Sequence, residues 1–207
     1  EMQRSLVGSE MCIRDRYRTS QFVKEIIMVY VFMADGCEEI EALAPVDMLR
    51  RGGVEVTTVG VTGKTVTGSH NISVNTDISL EEVNLSDIEA VVLPGGMPGT
   101  LNLEKNEKVQ EIVEYAYDKK LLICAICAAP SILGHKGYLK DKKATCFPGF
   151  EDSFDGGEYT GEVVTACGNI ITGKGCGAGI YFGLEILKNI KGEETMKKVF
   201  DSLQCPN

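Results

Sequence analysis

Long apolar runs, positive charge, histidine and a phosphate-binding loop are what this chain is short of. Apolar stretches such as Leu121 to Ile126 fall far below the roughly 20 residues that a membrane-spanning helix requires, which excludes such a helix. The net charge of −9 argues against nucleic acid or an anionic membrane surface as a partner. Pro94 to Gly99 is rich in glycine, yet no G-x-x-x-x-G-K-[ST] follows, so a nucleotide site is not read there. Histidine is confined to His70 and His135. Internal repeats, linkers and low-complexity segments are missing from the body of the chain.

The first residues are set apart from that body. Leu6 to Arg16, LVGSEMCIRDR, reads as the translation of a transposon-type sequencing-library adapter, so residues 1–23 are expected to be a non-native tail and residues 24–207 one α/β domain. The alternative is a natural extension. A secretory signal lacks its uninterrupted apolar region here, while the arginines suit a transit peptide. Setting the tail aside removes four arginines and three acids and leaves the body at −10.

Eight cysteines would suit a disulfide scaffold, but Cys12 falls in the tail and the remaining odd number lies scattered among apolar or small residues. That pattern points to reduced thiols and a cytoplasmic location. Cys124 and Cys127 form a C-x-x-C; three residues of extended strand would hold them too far apart for a bridge. Cys37, in the loop before the Glu41 helix, and Cys146, next to Phe147, are read as inert thiols, the alternative being that either reaches the pocket.

The stretch that organises the rest is Leu121 to Leu133, LLICAICAAPSIL. Its β-branched start is too short for a helix, and the small residues leading to Pro130 mark a buried strand turning sharply into a helix. Cys127 stands at the turn, where the carboxyl edge of a parallel sheet opens into a crevice. A helix start behind it should make the thiol easy to ionise, although cysteine is also a common inert core residue. Ala128 and Ala129 permit the close backbone approach such an elbow needs.

Elements alternate along the chain. Glu25 to Met33 is a buried strand, Glu38 to Arg51 a helix with acids first and Arg50-Arg51 last, and Val54 to Val61 a second strand. Thr65 to Thr76 reads as a hairpin around Ser69-His70-Asn71, Ala90 to Leu93 as a strand, and Glu107 to Lys119 as an amphipathic helix. Val163 to Ala166 and Asn169 to Thr172 form an edge hairpin, followed by helices over Ile180 to Leu187 and Glu193 to Leu203. Such alternation predicts an α/β fold with a parallel sheet covered on both faces. Within the first helix Glu41 shares a face with Ala44, Pro45 and Met48, so its carboxylate either turns toward apolar neighbours or, like Glu38 and Glu39, is a solvated first-turn acid.

Taken together, ADGCEEIEALAPVDMLRRGG, VVLPGGMPG, AICAAPSIL, TCFPGFE and ITGKGCGAGIYFGLEIL resemble the ThiJ/PfpI superfamily on its DJ-one-like branch, over Lys24 to Leu203. The resemblance implies a flavodoxin-like parallel sheet sandwiched by helices, a homodimer, and no cofactor or metal. It places the elbow nucleophile on Cys127, a protonated acid on Glu41, and an oxyanion pocket on the backbone of Gly95, Gly96 and Ala128. Phe147 stands where many members carry a histidine, so a Cys-His-Asp triad is not supported; His70 and His135 read as structural. The implied activity is that of a glyoxalase III or deglycase acting on small dicarbonyls such as methylglyoxal. The alternative is an oxidative-stress sensor or protective chaperone working through oxidation of Cys127.

Overall fold

The computed structural model describes residues 28–204. The expected adapter-derived tail at 1–23 and the first residues of the opening strand lie outside the described part.

In chain order the elements are β1 (Met28–Met33), α1 (Glu39–Arg51), β2 (Val56–Gly60), β3 (Thr65–Thr67), β4 (Ser73–Asn75), β5 (Ile78–Ser79) and β6 (Ile88–Leu93). There follow α2 (Gly99–Lys105), α3 (Glu107–Asp118), β7 (Leu122–Ile126), α4 (Pro130–His135), β8 (Lys143–Ala144) and β9 (Glu158–Tyr159). The chain closes with β10 (Val164–Cys167), β11 (Ile170–Gly173), α5 (Gly179–Lys191) and α6 (Glu193–Leu203). A seven-stranded sheet runs in the order β10-β11-β7-β6-β1-β2-β5. Every pairing in it is parallel except that of β10 with β11, which is the expected edge hairpin. The antiparallel pair β3-β4 is the hairpin read around His70.

Alternation along the central strands feeds two cores, because successive side chains leave a strand on opposite faces. Tyr30, Phe32, Val91, Leu93, Ile123 and Ala125 pack toward α3 and α4, whereas Val29, Val31, Ala90, Val92, Cys124 and Ile126 pack toward α1, α5 and α6. Both faces are buried, which is why these strands read as unbroken apolar runs.

The position of α1 matters most for the site. Its first turn is capped by the Glu38 carboxylate, which accepts the Glu41 amide at 2.7 Å, and Arg50 and Arg51 complement its C-terminal end. Along its length α1 lies tightly on α5. A Cβ added at Gly183 would come within 2.8 Å of Pro45 Cα and 3.0 Å of Met48 Cβ, so only glycine allows the helices to approach this closely. Several short elements escaped the sequence reading, among them β5, α2, which follows directly on the glycine-rich loop, and the β8-β9 pair.

Candidate active site

The carboxyl ends of β1, β6, β7 and β11 meet at one edge of the sheet, and the loops that leave them build a single crevice. From β7 comes Cys127, with φ of +64°, a left-handed conformation that costs a non-glycine residue roughly 1–3 kcal/mol. Neighbouring loops hold it on both sides. Its amide donates to Gly173 O at 2.9 Å and its carbonyl accepts from Phe147 N at 2.8 Å. The thiol is half-buried.

Glu41 comes to the same place from α1 and is fully buried. Its Oε2 accepts the Gly95 amide at 3.0 Å, while Oε1 has no hydrogen-bond partner of good geometry. A buried carboxyl oxygen without a partner is costly unless the acid is neutral or meets a ligand. Burial pushes the Glu41 carboxyl up to about 7, the Glu38 carboxylate adding to the rise while Cys127 and the Gly95 amide oppose it. Glu41 therefore points inward, and the solvated alternative is set aside.

Cys127 behaves differently from a thiol at an open helix start. Burial pushes it up to about 12, with the ionised Glu41 adding charge repulsion and a hydrogen bond, against the Gly96 and Ala128 amides. The reading of an easily ionised thiol is thus corrected: α4 spans only six residues and begins at Pro130, so it offers little dipole to offset burial. A neutral Glu41 reverses the local balance, since it removes the repelling charge and presents a donor.

The three amides read as an oxyanion pocket divide in the structure. Those of Gly96 and Ala128 lie near the Cys127 sulfur and favour its ionised form. That of Gly95 is engaged by Glu41, so it holds the acid in place and is not free to meet an oxyanion. Gly95 must also be glycine, for a Cβ there would lie 2.7 Å from Cys127 Cβ.

Glu39 is a second correction, because it is buried rather than solvated. Its carboxylate accepts the His70 amide at 2.9 Å, His70 Nδ1 at 3.0 Å and the Ile72 amide at 3.4 Å, clamping the β3-β4 hairpin to α1. Glu38, Glu39 and His70 lie within 4.8 Å of one another, but these bonds already employ their donor atoms. His135 pairs with Glu104. Neither imidazole is hydrogen-bonded to Cys127 or Glu41.

Phe147 is half-exposed, and its ring packs against Gly175, where an added Cβ would sit 3.3 Å from the ring edge. Together with Pro148, Val163 and the Lys174–Ala178 turn it lines a cleft of about 490 Å³. A cleft of about 600 Å³ between α2 and α4 contains neither Cys127 nor Glu41. The residue that sequence reasoning passed over is Cys176, at the exposed tip of the turn after β11. Burial together with the charge and hydrogen bond of Glu38 pushes its thiol up to about 11. A cysteine inside the glycine-rich G-K-G-C-G-A-G, directly past a strand's carboxyl end, was the signal available. By contrast Cys37, Cys124 and Cys146 are buried.

Comparison with known proteins bears on family and fold. The sequence pattern of the DJ-1/PfpI family matches residues 27–189. A zebrafish (Danio rerio) protein named Parkinson disease protein 7 homolog is 36% identical over 174 residues, which cover 82% of this chain and 92% of that one. A protein of Pyrococcus abyssi named a deglycase is 35% identical over 125 residues, covering 60% of this chain and 74% of that one. Among solved structures, oxidised Toxoplasma gondii DJ-1 superposes with a TM-score of 0.83 at 30% identity, covering 87% of this chain and all of that one. Drosophila melanogaster DJ-1beta gives a TM-score of 0.82 at 32% identity, covering 87% and 99%. The fold is accordingly the flavodoxin-like α/β architecture of these neighbours.

Proposed function

The chain belongs to the DJ-1/PfpI family, and on that premise we propose that it is a cysteine-dependent, cofactor-free enzyme of the glyoxalase III or deglycase type acting on methylglyoxal-like dicarbonyls. The observation that carries this reading is the unpartnered Oε1 of buried Glu41 in the same crevice as a left-handed, half-buried Cys127. It supports reading Glu41 as a proton carrier and Cys127 as the nucleophile it serves.

Each step has a group to perform it. Ionised Glu41 takes the thiol proton as sulfur attacks the aldehyde carbon, and returns it to the new oxyanion, giving a hemithioacetal. Glu41 then removes the hydrogen from that carbon, giving an enediolate; the hydroxyl proton passes to the neighbouring oxygen, and Glu41 delivers the first hydrogen to the carbon bearing it, leaving a lactoyl thioester. Water, deprotonated by Glu41, releases lactate and restores the thiol. The Gly96 and Ala128 amides stabilise negative charge on sulfur and on the oxygen beside it. With Phe147 in place of an imidazole, one carboxyl serves every proton transfer, and slow turnover is expected.

Lactate formation from methylglyoxal, measured for the wild type, Cys127→Ser and Glu41→Gln, tests the reading. Turnover lost in both variants supports it; turnover at background in the wild type ends it. In the second reading, an oxidative-stress sensor or protective chaperone, peroxide oxidises Cys127 and Glu41 Oε1 hydrogen-bonds the added oxygen. The assembly we propose is a homodimer formed through α1, whose Ile40 and Leu43 side chains remain exposed; sedimentation velocity tests it.

A further inference from the structure

Cys176 and Cys127 stand on neighbouring loops at the carboxyl end of the sheet. The loop that carries Cys176 leaves β11 at Gly173, whose carbonyl holds the Cys127 amide at 2.9 Å, and it continues past the Phe147 ring, which is itself tied to the Cys127 carbonyl at 2.8 Å. On the far side, the Glu38 carboxylate lies close enough to the Cys176 thiol to raise it. Glu38 donates its amide to Gly95 O at 3.0 Å, and Gly95 approaches Cys127 so closely that an added Cβ would lie 2.7 Å from that of the cysteine. Thus two short chains of contacts link the two cysteines. Beside Cys127 lies the fully buried Glu41, whose Oε1 makes no hydrogen bond of good geometry and could receive the oxygen of an oxidised sulfur.

We propose that Cys176 is a resolving cysteine: after peroxide oxidises Cys127 to the sulfenic acid, Cys176 attacks it and closes an intramolecular Cys127–Cys176 disulfide. In the first step the Cys127 sulfur attacks a peroxide oxygen, the O–O bond breaks, and the departing hydroxide leaves as water with the thiol proton; sulfur is oxidised and peroxide reduced. In the second, the Cys176 sulfur attacks the Cys127 sulfur while Glu38 takes the Cys176 proton. The S–O bond breaks, and hydroxide recovers that proton as a second water. Two thiols and one peroxide become one disulfide and two waters. The turn that presents Cys176 contains Gly175 and Gly177, and no heavy atom lies within 4 Å of a Cβ added at Gly177, so the turn is loosely packed at that position. Closure diverts Cys127 from the irreversible sulfinic and sulfonic acids and places a disulfide across the entrance to Glu41.

The inference requires only that Cys127 reacts with peroxide, not that the chain turns over a dicarbonyl, so lactate assays and the following test fail separately. The full chain is treated with a small excess of hydrogen peroxide, blocked with iodoacetamide, digested without reductant and analysed by mass spectrometry. The expected product in the wild type is a peptide pair joined through Cys127 and Cys176, separated by dithiothreitol, in monomeric protein on a non-reducing gel. In Cys176→Ser and Cys176→Ala, both checked by circular dichroism, the same exposure adds two oxygens to Cys127 that dithiothreitol does not remove. Sulfinic acid at equal rates in wild type and variants overturns the proposal. So does a bridge to any other cysteine or between two chains, or wild-type protein in which no linked pair forms.

Discussion

Glu41 and Gly95 lock one another in place: the Gly95 amide donates to Glu41 Oε2 at 3.0 Å, and a Cβ on Gly95 would stand 2.6 Å from that same oxygen. Gly95→Ala therefore overpacks the site from within. Its unfolding free energy in urea should fall by about 1–3 kcal/mol, the usual cost of overpacking, and methylglyoxal turnover should fall with it. Unchanged stability together with unchanged turnover would contradict the tight fit.

Replacing the acid alone separates charge from shape. In Glu41→Gln the side-chain carbonyl still accepts the Gly95 amide, but no proton is carried, so lactate formation should drop at least ~100-fold, the lower end of what general acid–base catalysis contributes. The Glu41 charge and hydrogen bond that raise the Cys127 thiol disappear as well. Iodoacetamide should then modify Cys127 faster than in the wild type at pH 8, where wild-type Glu41 is ionised. Slower alkylation would contradict the repulsion argued here.

Stability should carry the mark of the buried acid. Glu41 titrates near 7 in the folded protein against a reference of 4.5, so between those values the native state binds the extra proton and stability falls as pH rises. The contribution is fully present below about 4.5 and is lost as pH passes 7; the difference corresponds to roughly 3 kcal/mol. Carboxylates held low, such as Asp77 and Glu82, act in the opposite sense at acid pH, so the comparison is with Glu41→Gln. Denaturation midpoints at pH 5 and pH 8 should diverge more in the wild type than in the variant.

The hairpin clamp is open to the same kind of test. Hydrogen bonding to Glu39 and its charge raise the His70 imidazole, so Glu39→Ala should lower the His70 titration midpoint followed by NMR. The variant leaves the Ile72 amide and the His70 amide without their acceptor, a loss expected to cost about 1–3 kcal/mol of stability. An unmoved His70 midpoint would show that the pair does not form in solution.

Phe147→His should raise dicarbonyl turnover. The Phe147 amide is already anchored to the Cys127 carbonyl at 2.8 Å and its ring is half-exposed, so an imidazole can be installed beside the crevice without disturbing the core and can share the proton transfers now left to Glu41. Equal or lower turnover in a folded variant would show that imidazole is not what limits the rate.

Much of this architecture could be read from the residues. Strand and helix alternation is local chemistry, and the switch from period two to helical spacing placed the central strands, the α3 helix and both C-terminal helices close to where they lie. The elbow was legible because β-branched residues ending in small residues and proline admit few conformations. The short α2 was missed because Gly99 and Asn102 are poor helix formers, and it is tertiary contact, including the Asn102 bond to Asp35 O at 2.8 Å, that secures it.

Sequence alone determined that Cys127 stands at a strand-to-helix elbow, since that follows from spacing within one segment, and left Glu41 open between an inward and a solvated placement. Only the tertiary structure decided how those groups behave. Ionisation is set by the sum of burial, neighbouring charge and hydrogen bonds from distant segments, so the helix start that should have eased the Cys127 proton is outweighed by burial and by Glu41. The amide of Gly95 is spent on the acid, Glu39 is turned inward to hold a hairpin, and Cys176 is brought from the far end of the chain to a loop neighbouring that of Cys127. Each of these depends on contacts between residues far apart in sequence, which no local pattern encodes.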